Sequence, residues 1–497
     1  MNKDKFLSII SSGLPALLFF SILVLFYPYR EAFQLDSDEG VNLMKAFMVQ
    51  EGYALYDDIW SDQPPLLTIA IRALIELFGA RVGLIRTSVL LVSSLMFLAC
   101  YQILKMHWGT AYAVIGAVIL FLHPTYAKLS TSIMVGLPSI AFVFFSLYFL
   151  QFWHRDRNYP ALVLSAVTMT ISVGIKIFTG FMGVIIVGGL FLAETFRAKA
   201  SGNFSWPQIF KPAVLWGLVF SAGLLSILFF IVGIENASQL IGTHVSGTAI
   251  DLYRKEEFTI NYHLINLLPT FFLAGIGTYL SVREKNWYFL YFTTWSVVSY
   301  LLLLNHSPVW FHHQLLVSAP AAVLAAIAVG HLFEQVKDLT DRSGLTVLVP
   351  LILIGIILLF FDLRVPNFVR QLRPIPTGFP STQLDMTTQE EILLKRINLA
   401  RPETNWFLTD LPMYAFRIGL PVPPELAAFT MKRFHSGELT EEDIIEVVNR
   451  YAPEQILLGR TVYPEVERAL AENYFLLEDF GPYTRYFLRN DLTAQTP

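Results

Sequence analysis

The chain contains a single cysteine, Cys100, and it lies inside an apolar run. An internal disulfide framework is therefore excluded, and so is a cysteine-based metal centre. Charge is scarce as well: 15% of the 497 residues are Asp, Glu, Lys or Arg, against about 25% in soluble domains. The net charge is −4 and no Lys/Arg-rich block or basic tail occurs, so no nucleic acid is expected as a partner. No fixed-period repeat runs along the chain. What is abundant is apolar surface, 54% of the residues, gathered in long runs. That is the composition of a polytopic all-α membrane protein.

The first run, Phe6–Phe26, follows Lys3 and Lys5 and matches the roughly 20 residues that cross a bilayer. The next residues, Tyr27-Pro28-Tyr29-Arg30, lack the small-residue pattern of a cleavage site, so the run reads as a retained helix. Further candidates are Val82–Leu104, Thr110–Leu122, Ile133–Trp153, Ala161–Ile175, Gly180–Phe196, Ala213–Val232, Leu264–Leu280, Trp287–Leu304, Leu315–Gly330 and Leu345–Phe361. That makes about eleven spans. With the amino terminus in the cytoplasm, Lys105, Arg155, Arg157, Arg197, Lys199, Lys211, Arg283, Lys285, Lys337 and Arg342 all fall inside, as the positive-inside rule requires. The opposite face receives loop 29–81, residues 123–132, the turn at Lys176, loops 233–263 and 305–314, and everything after Asp362. A segment from Pro64 to Phe78 is apolar but carries Arg72 and Glu76. Counting it as a span would move the basic loops outside, so it is expected as a helix in the outer leaflet. The expected location is the plasma membrane.

Residues 1–362 thus form the membrane region. Pro366, Pro374, Pro376 and Pro380 mark a linker over 363–384, and residues 385–497 are expected to fold as a small α/β domain outside the membrane. Trp406–Thr409 and Gln455–Leu458 read as buried strands, Thr440–Tyr451 and Tyr463–Glu472 as helices, and Tyr474–Leu477 with Tyr483–Leu488 as a terminal hairpin. Thr440 and Asp443 form a capping-box-like start.

The loop after the first span is the most informative stretch. Leu35-Asp36-Ser37-Asp38-Glu39-Gly40 sets three carboxylates within four residues, and Val41, Met44, Phe47 and Met48 then recur at helical spacing up to Glu51-Gly52. A short amphipathic helix on the bilayer is expected, with Asp38 and Glu39 in its first turn. Adjacent helical positions point about 100° apart, so one carboxylate can activate an acceptor while the other positions a donor or a basic partner. The plainer alternative is that Asp38 caps the helix and Glu39 complements its dipole. Asp57, Asp58 and Asp62 read as turn residues beside Pro64-Pro65.

The order of first helix, Asp38-Glu39-Gly40, amphipathic helix, Gly52-Tyr53-Ala54-Leu55-Tyr56-Asp57-Asp58 and Gln63-Pro64-Pro65-Leu66 resembles the GT-C glycosyltransferases of the protein O-mannosyltransferase and lipid A aminoarabinose transferase type. The likeness runs on through the Lys176 turn, Val309-Trp310-Phe311-His312-His313 and the carboxy-terminal domain. It implies a polyprenyl-phosphate sugar donor, a lipid, glycan or protein acceptor, and a role for Asp38, with Glu39 beside it, in deprotonating the acceptor hydroxyl. Direct attack on the anomeric carbon would invert it. A phosphate leaving group also calls for positive charge at the outer face. Arg86 and Lys176 are the main candidates, with snorkelling as the alternative for each, and Arg81, Lys128, Arg254 and Lys255 are weaker ones. His312 and His313 are candidates for phosphate or sugar contact. No third ligand stands near them in sequence, so no metal site is assigned, and a need for a divalent metal stays open.

Two positions depart from the family pattern. An acid often precedes Pro at the start of the fourth span, where this chain has Met134-Val135-Gly136-Leu137-Pro138, and a Lys often precedes Pro-Pro, where it has Gln63. Asp36 or Lys45 would then be substitutes. The rival readings are a transporter or lipid flippase, disfavoured because no inverted repeat or paired interrupted helices occur, and a catalytically silent relative that binds glycan.

Overall fold

The computed structural model describes residues 3–123, 125–202, 204–240, 255–343, 387–481 and 483–495. Helices dominate because a backbone inside lipid must satisfy its hydrogen bonds within each segment. In chain order the membrane region contains α1 (Lys3–Phe26), α2 (Ser37–Gln50), α3 (Leu66–Phe78), α4 (Val82–Trp108), α5 (Thr110–Phe121), α6 (Tyr126–Thr131), α7 (Gly136–Asp156), α8 (Tyr159–Ile175), α9 (Phe181–Ser201), α10 (Trp206–Ile227), α11 (Ile260–Leu264), α12 (Leu268–Arg283), α13 (Leu290–Leu304) and α14 (Gln314–Ser343). Seven helices among the described residues are long and apolar enough to cross a membrane, and Gly13–Phe26, Thr110–Phe121 and Tyr159–Ile175 are shorter apolar helices. The protein is a multi-pass membrane protein. The expected span Leu345–Phe361, the linker 363–384 and Arg254 lie outside the described residues.

α14 is the axis of the bundle. Its Ala319, Ala321, Ala322, Ala325 and Ala326 are buried, and small side chains of this kind let neighbouring backbones approach closely. The approach is tightest at Gly277 of α12, where a β-carbon would collide with the Leu324 carbonyl.

The carboxy-terminal part contains α15 (Thr388–Leu399), β1 (Phe407–Thr409), α16 (Pro412–Ile418), α17 (Met431–His435), α18 (Glu441–Tyr451), β2 (Gln455–Leu458), α19 (Pro464–Leu470), β3 (Tyr474–Asp479) and β4 (Arg485–Arg489). The strands form one sheet in the order β1-β2-β4-β3. β1 and β2 are parallel, with Leu408 opposite Ile456, and β4 runs antiparallel to both β2 and β3. At α18, Thr440 accepts a hydrogen bond from the Asp443 amide and the Asp443 carboxylate accepts one from the Thr440 amide at 2.8 Å. Asp therefore serves where Glu is usual in a capping box.

One expectation needs correction. α2 forms where the apolar spacing put it, yet it does not lie free on the bilayer. Leu43, Lys45 and Ala46 are buried together with Val41, Met44 and Met48, because the carboxy-terminal domain covers the face opposite α3. Gly40 is the closest point, where a β-carbon would stand 2.7 Å from the Met413 amide nitrogen of α16. The Phe33 and Tyr414 rings meet at 4.6 Å, and those of Phe47 and Phe416 at 6.1 Å.

Candidate active site

The Asp38-Glu39-Gly40 triplet serves three different purposes. Asp36, not Asp38, is the N-cap of α2, and its carboxylate accepts from the Asp38 amide at 3.1 Å. Loss of hydration, then the negative charge of Asp38, push the Asp36 carboxyl up to about 7.

Glu39 turns inward and is completely buried. It pairs with Arg86 of α4, which donates from Nε at 3.0 Å and from Nη2 at 2.6 Å. The remaining acceptor capacity of Glu39 takes the Ile133 amide at 2.9 Å and the Leu35 amide at 2.7 Å. Arg86 spends its other N–H groups on the carbonyls of Tyr29, Ala32 and Phe33. A guanidinium has five such donors, and all five are engaged. Glu39 had been expected as a catalytic carboxylate and Arg86 as a phosphate ligand. In the structure neither retains a free group, and together they tie the loop, α2 and α4 into one unit. Arg417 of α16 reaches the same loop from above, donating to Ala32 O at 2.6 Å and Phe33 O at 2.7 Å.

Asp38 is left over. Among the described residues nothing hydrogen-bonds or ion-pairs its carboxylate, and its side chain keeps partial access to water. Enclosure by protein raises its carboxyl above the ordinary range, and the neighbouring Asp62 adds to this. Arg460, Lys176 and Lys45 oppose it, Arg460 most strongly. A carboxyl raised in this way is a better base than a solvated one.

Lys176 stands in an extended break between α8 and the turn that opens the next span. That turn is pinned by Ser172, whose hydroxyl lies within hydrogen-bond distance of Ser139 O and Thr179 Oγ1, both at 2.8 Å. The Lys176 side chain is 8% exposed. Among the described residues its ammonium has no hydrogen-bond acceptor, only the Phe178 ring at 5.8 Å. Burial pushes it down to about 8, opposed by Asp38 and Asp62. A buried cation with no counter-ion in contact is costly, which marks it as a place for a ligand anion.

Lys176 also lines a narrow cleft with Gly136, Ser139, Phe178, Thr179, His312 and His313. Its free volume is about 10 Å³, about the room of one water, so a phosphate would enter only as side chains give way. The His312 and His313 rings lie 4.5 Å apart, and His312 Nδ1 is buried with no hydrogen-bond partner among the described residues. His313 Nδ1 accepts from the Trp310 amide at 3.2 Å. Lys128 sits over the Phe311 ring at 4.5 Å. A β-carbon on Gly136 would meet nothing within 4 Å, so the position without an acid opens into free space. Among the described residues no three His, Cys, Asp or Glu side chains converge as a metal group. A roomier cleft of about 470 Å³ lies in the carboxy-terminal domain beside Thr440, Glu441 and Arg468. Its lining shares no residue with the cleft beside Lys176, and its Glu441 caps α19 through the Glu465 and Val466 amides.

Asp62 is the residue that sequence reasoning passed over, having treated it as a turn former. It shares the electrostatic surroundings of Asp38, Lys45, Lys176 and Lys432. The usable signal was the burial of Lys45 in α2, since a buried ammonium needs carboxylates near it.

Residues 62–221 match the family described as dolichyl-phosphate-mannose-protein mannosyltransferase. Comparison with curated protein sequences gives no match. Among solved structures, the chain is similar to ArnT from Cupriavidus metallidurans in the apo state, at 14% identity and a TM-score of 0.63, covering 100% of both chains. It is similar to the same protein bound to undecaprenyl phosphate at 14% identity and a TM-score of 0.62, over 98% of this chain and 99% of that one. The oligosaccharyltransferase AglB from Archaeoglobus fulgidus, in complex with an inhibitory peptide and a dolichol-phosphate, matches at 12% identity and a TM-score of 0.57, over 100% of this chain and 75% of that one.

Proposed function

We propose that this chain, which has the GT-C fold, is a membrane glycosyltransferase that moves a sugar from a polyprenyl-phosphate donor to an acceptor on the extracytoplasmic side. The observation that carries the reading is that Asp38, a partly accessible carboxylate without a hydrogen-bond partner among the described residues, lies within electrostatic reach of Lys176, a buried ammonium that lines a narrow cleft. Both kinds of group are needed for the reaction. The fold similarity to a structure solved with undecaprenyl phosphate supports a lipid phosphate as the anion.

In this reading Asp38 accepts the proton of an acceptor hydroxyl as its oxygen bonds to the anomeric carbon. The bond from that carbon to the phosphate oxygen breaks, and its electron pair leaves with the lipid phosphate. Lys176 offsets the charge that gathers on the departing phosphate, with His312 and His313 as hydrogen-bonding partners. Attack opposite the leaving group inverts the anomeric centre. Glu39 and Arg86 hold the loop that presents Asp38. A cytoplasmic amino terminus is part of this reading, because it is the orientation that puts the basic loops on the inner side.

The test is transfer or hydrolysis of a panel of polyprenyl-phosphate sugars by the purified full chain. Wild type is expected to consume at least one donor and release polyprenyl phosphate, and Asp38→Asn to be slower by about 10²-fold or more. Equal rates for the two proteins would remove Asp38 from the base role. Loss of donor consumption by wild type with retained glycan binding would favour the silent relative.

A further inference from the structure

The recess around Asp38 holds more charge than one base and one phosphate ligand require. Lys45 lies on α2 two turns beyond Asp38 and is 2% exposed. Its ammonium makes one hydrogen bond, to Ser61 Oγ at 3.3 Å. The carboxylates within its electrostatic reach are Asp62 and Asp38, yet neither comes within ion-pair contact of it among the described residues.

The segment that carries Asp62 is fixed on both sides. The Arg433 guanidinium lies over the Trp60 ring at 5.0 Å. Gln239 accepts from the Ser61 amide at 3.4 Å and donates to Tyr56 O at 2.8 Å, while the Tyr56 hydroxyl donates to Gln63 O at 2.8 Å. Everything around Asp62 is bonded, and its own carboxylate has no partner among the described residues. A turn former would spend that carboxylate on nearby backbone amides. Asp58 does so, accepting from the Ala54 amide at 2.8 Å.

We infer that Asp62 is the second carboxylate of the site, and that the buried ammonium of Lys45 is the counter-ion it shares with Asp38. This assignment rests on the glycosyltransferase reading for its purpose: Asp62 accepts a hydrogen bond from a substrate hydroxyl while Asp38 removes the reacting proton. It also gives Lys45 a role other than phosphate ligand, because it is absent from the cleft lining and its ammonium is directed to the Asp62 loop. Asp62 is thus a substrate-binding residue, and Lys45, which acts through the two carboxylates, is a positioning residue.

Opposite shifts distinguish this arrangement from a merely structural one. The groups facing Asp38 are Arg460, Asp62, Lys176 and Lys45, with Asp36 beside it and His312 and His313 along the cleft. Removing a neighbouring negative charge lowers the pH at which Asp38 ionises, and removing a neighbouring positive charge raises it. The probe is undecaprenyl phosphate, titrated into the full chain across pH in wild type, Asp62→Asn, Lys45→Gln and Asp38→Asn. Ionised Asp38 repels the phosphate, so wild type is expected to bind more weakly as pH rises through the Asp38 transition. Asp38→Asn lacks that step and supplies the baseline, including ionisation of the phosphate and histidines. Relative to that baseline, Asp62→Asn should move the midpoint down and Lys45→Gln should move it up, each by about one pH unit, a tenfold change in proton affinity. Asp62→Glu should restore the wild-type midpoint. Midpoints that stay put, or that move in the same direction, would overturn the assignment, as would failure of wild type to bind the probe. A wild type that binds the probe with these shifts yet consumes no donor would sink the transferase reading and leave the charge arrangement standing.

Discussion

The two halves of the first long loop handle charge in opposite ways. Around Glu39 every donor and acceptor is matched: both carboxylate oxygens and all five guanidinium N–H groups of Arg86 are engaged, with no access to water. Around Asp38 the charges outnumber the bonds. Two carboxylates and two ammonium groups share one recess without a contact ion pair among the described residues. A saturated pair can only hold structure, because a ligand would have to break it to bind. An unsaturated group of charges held apart by the fold is costly until a ligand enters, and such cost persists where function maintains it.

That contrast is broken most severely at Arg86. Arg86→Leu leaves a buried carboxylate without its counter-ion, a loss of about 3–5 kcal/mol. It should appear as a large drop in thermal stability in detergent and in yield of folded protein. Glu39→Gln should cost nearly as much, and the double change Glu39→Gln with Arg86→Leu should be milder than the sum of the two singles. If Arg86→Leu melts like wild type and only weakens lipid phosphate binding, Arg86 belongs to the recess after all.

Next in size is Asp38→Asn. The expected effect is a fall of about 10²-fold or more in turnover, roughly 2.7 kcal/mol in the barrier, with a far smaller change in melting temperature than Arg86→Leu causes, because no group among the described residues is hydrogen-bonded to that carboxylate. A stability loss comparable to that of Arg86→Leu would erase the distinction between the two neighbours.

The membrane helices were legible in the sequence because lipid imposes a length and a hydropathy that no partner can alter. α2 was legible from its apolar spacing. Its capping residue was not, since Asp36 and Asp38 are equally good caps and only the backbone turn decides between them. Pairs fixed by tertiary folding were also out of reach. Arg86 is 47 residues from Glu39, though a lone arginine in an otherwise apolar helix is a hint that a carboxylate must meet it. Gly40 looked like part of a motif, whereas its reason is the backbone of Met413, which no local pattern announces. Asp62 does sit in a bend, as its neighbours Pro64 and Pro65 suggest, and nothing local in the sequence shows that it also lies within electrostatic reach of Asp38 and Lys45.

Gly40 tests how far the carboxy-terminal domain belongs to this arrangement. Gly40→Ala puts a methyl group against the Met413 amide, so α16 must shift, at a cost of about 1–2 kcal/mol. Faster proteolysis of the carboxy-terminal domain is expected, with the Glu39–Arg86 pair and overall insertion intact. Unchanged proteolysis would mean that the contact between α2 and α16 is loose enough to absorb a methyl group.

The smallest expected effect, and the finest probe of the contrast, is at Arg460. Its guanidinium donates to Ser37 O at 3.3 Å and supplies the largest charge opposing the raised carboxyl of Asp38. Asp38 acts as a base only when ionised, so turnover should fall as pH drops through its transition. Arg460→Gln removes a positive neighbour, which raises that transition and moves the acid limb of the pH profile upward. The plateau above it should stay within about twofold, since Arg460 is partly solvated and screened. A limb that does not move would make the carboxy-terminal domain a cover for the loop and no part of its electrostatics. A movement upward would show that the base on the first loop is tuned from a domain more than four hundred residues along the chain.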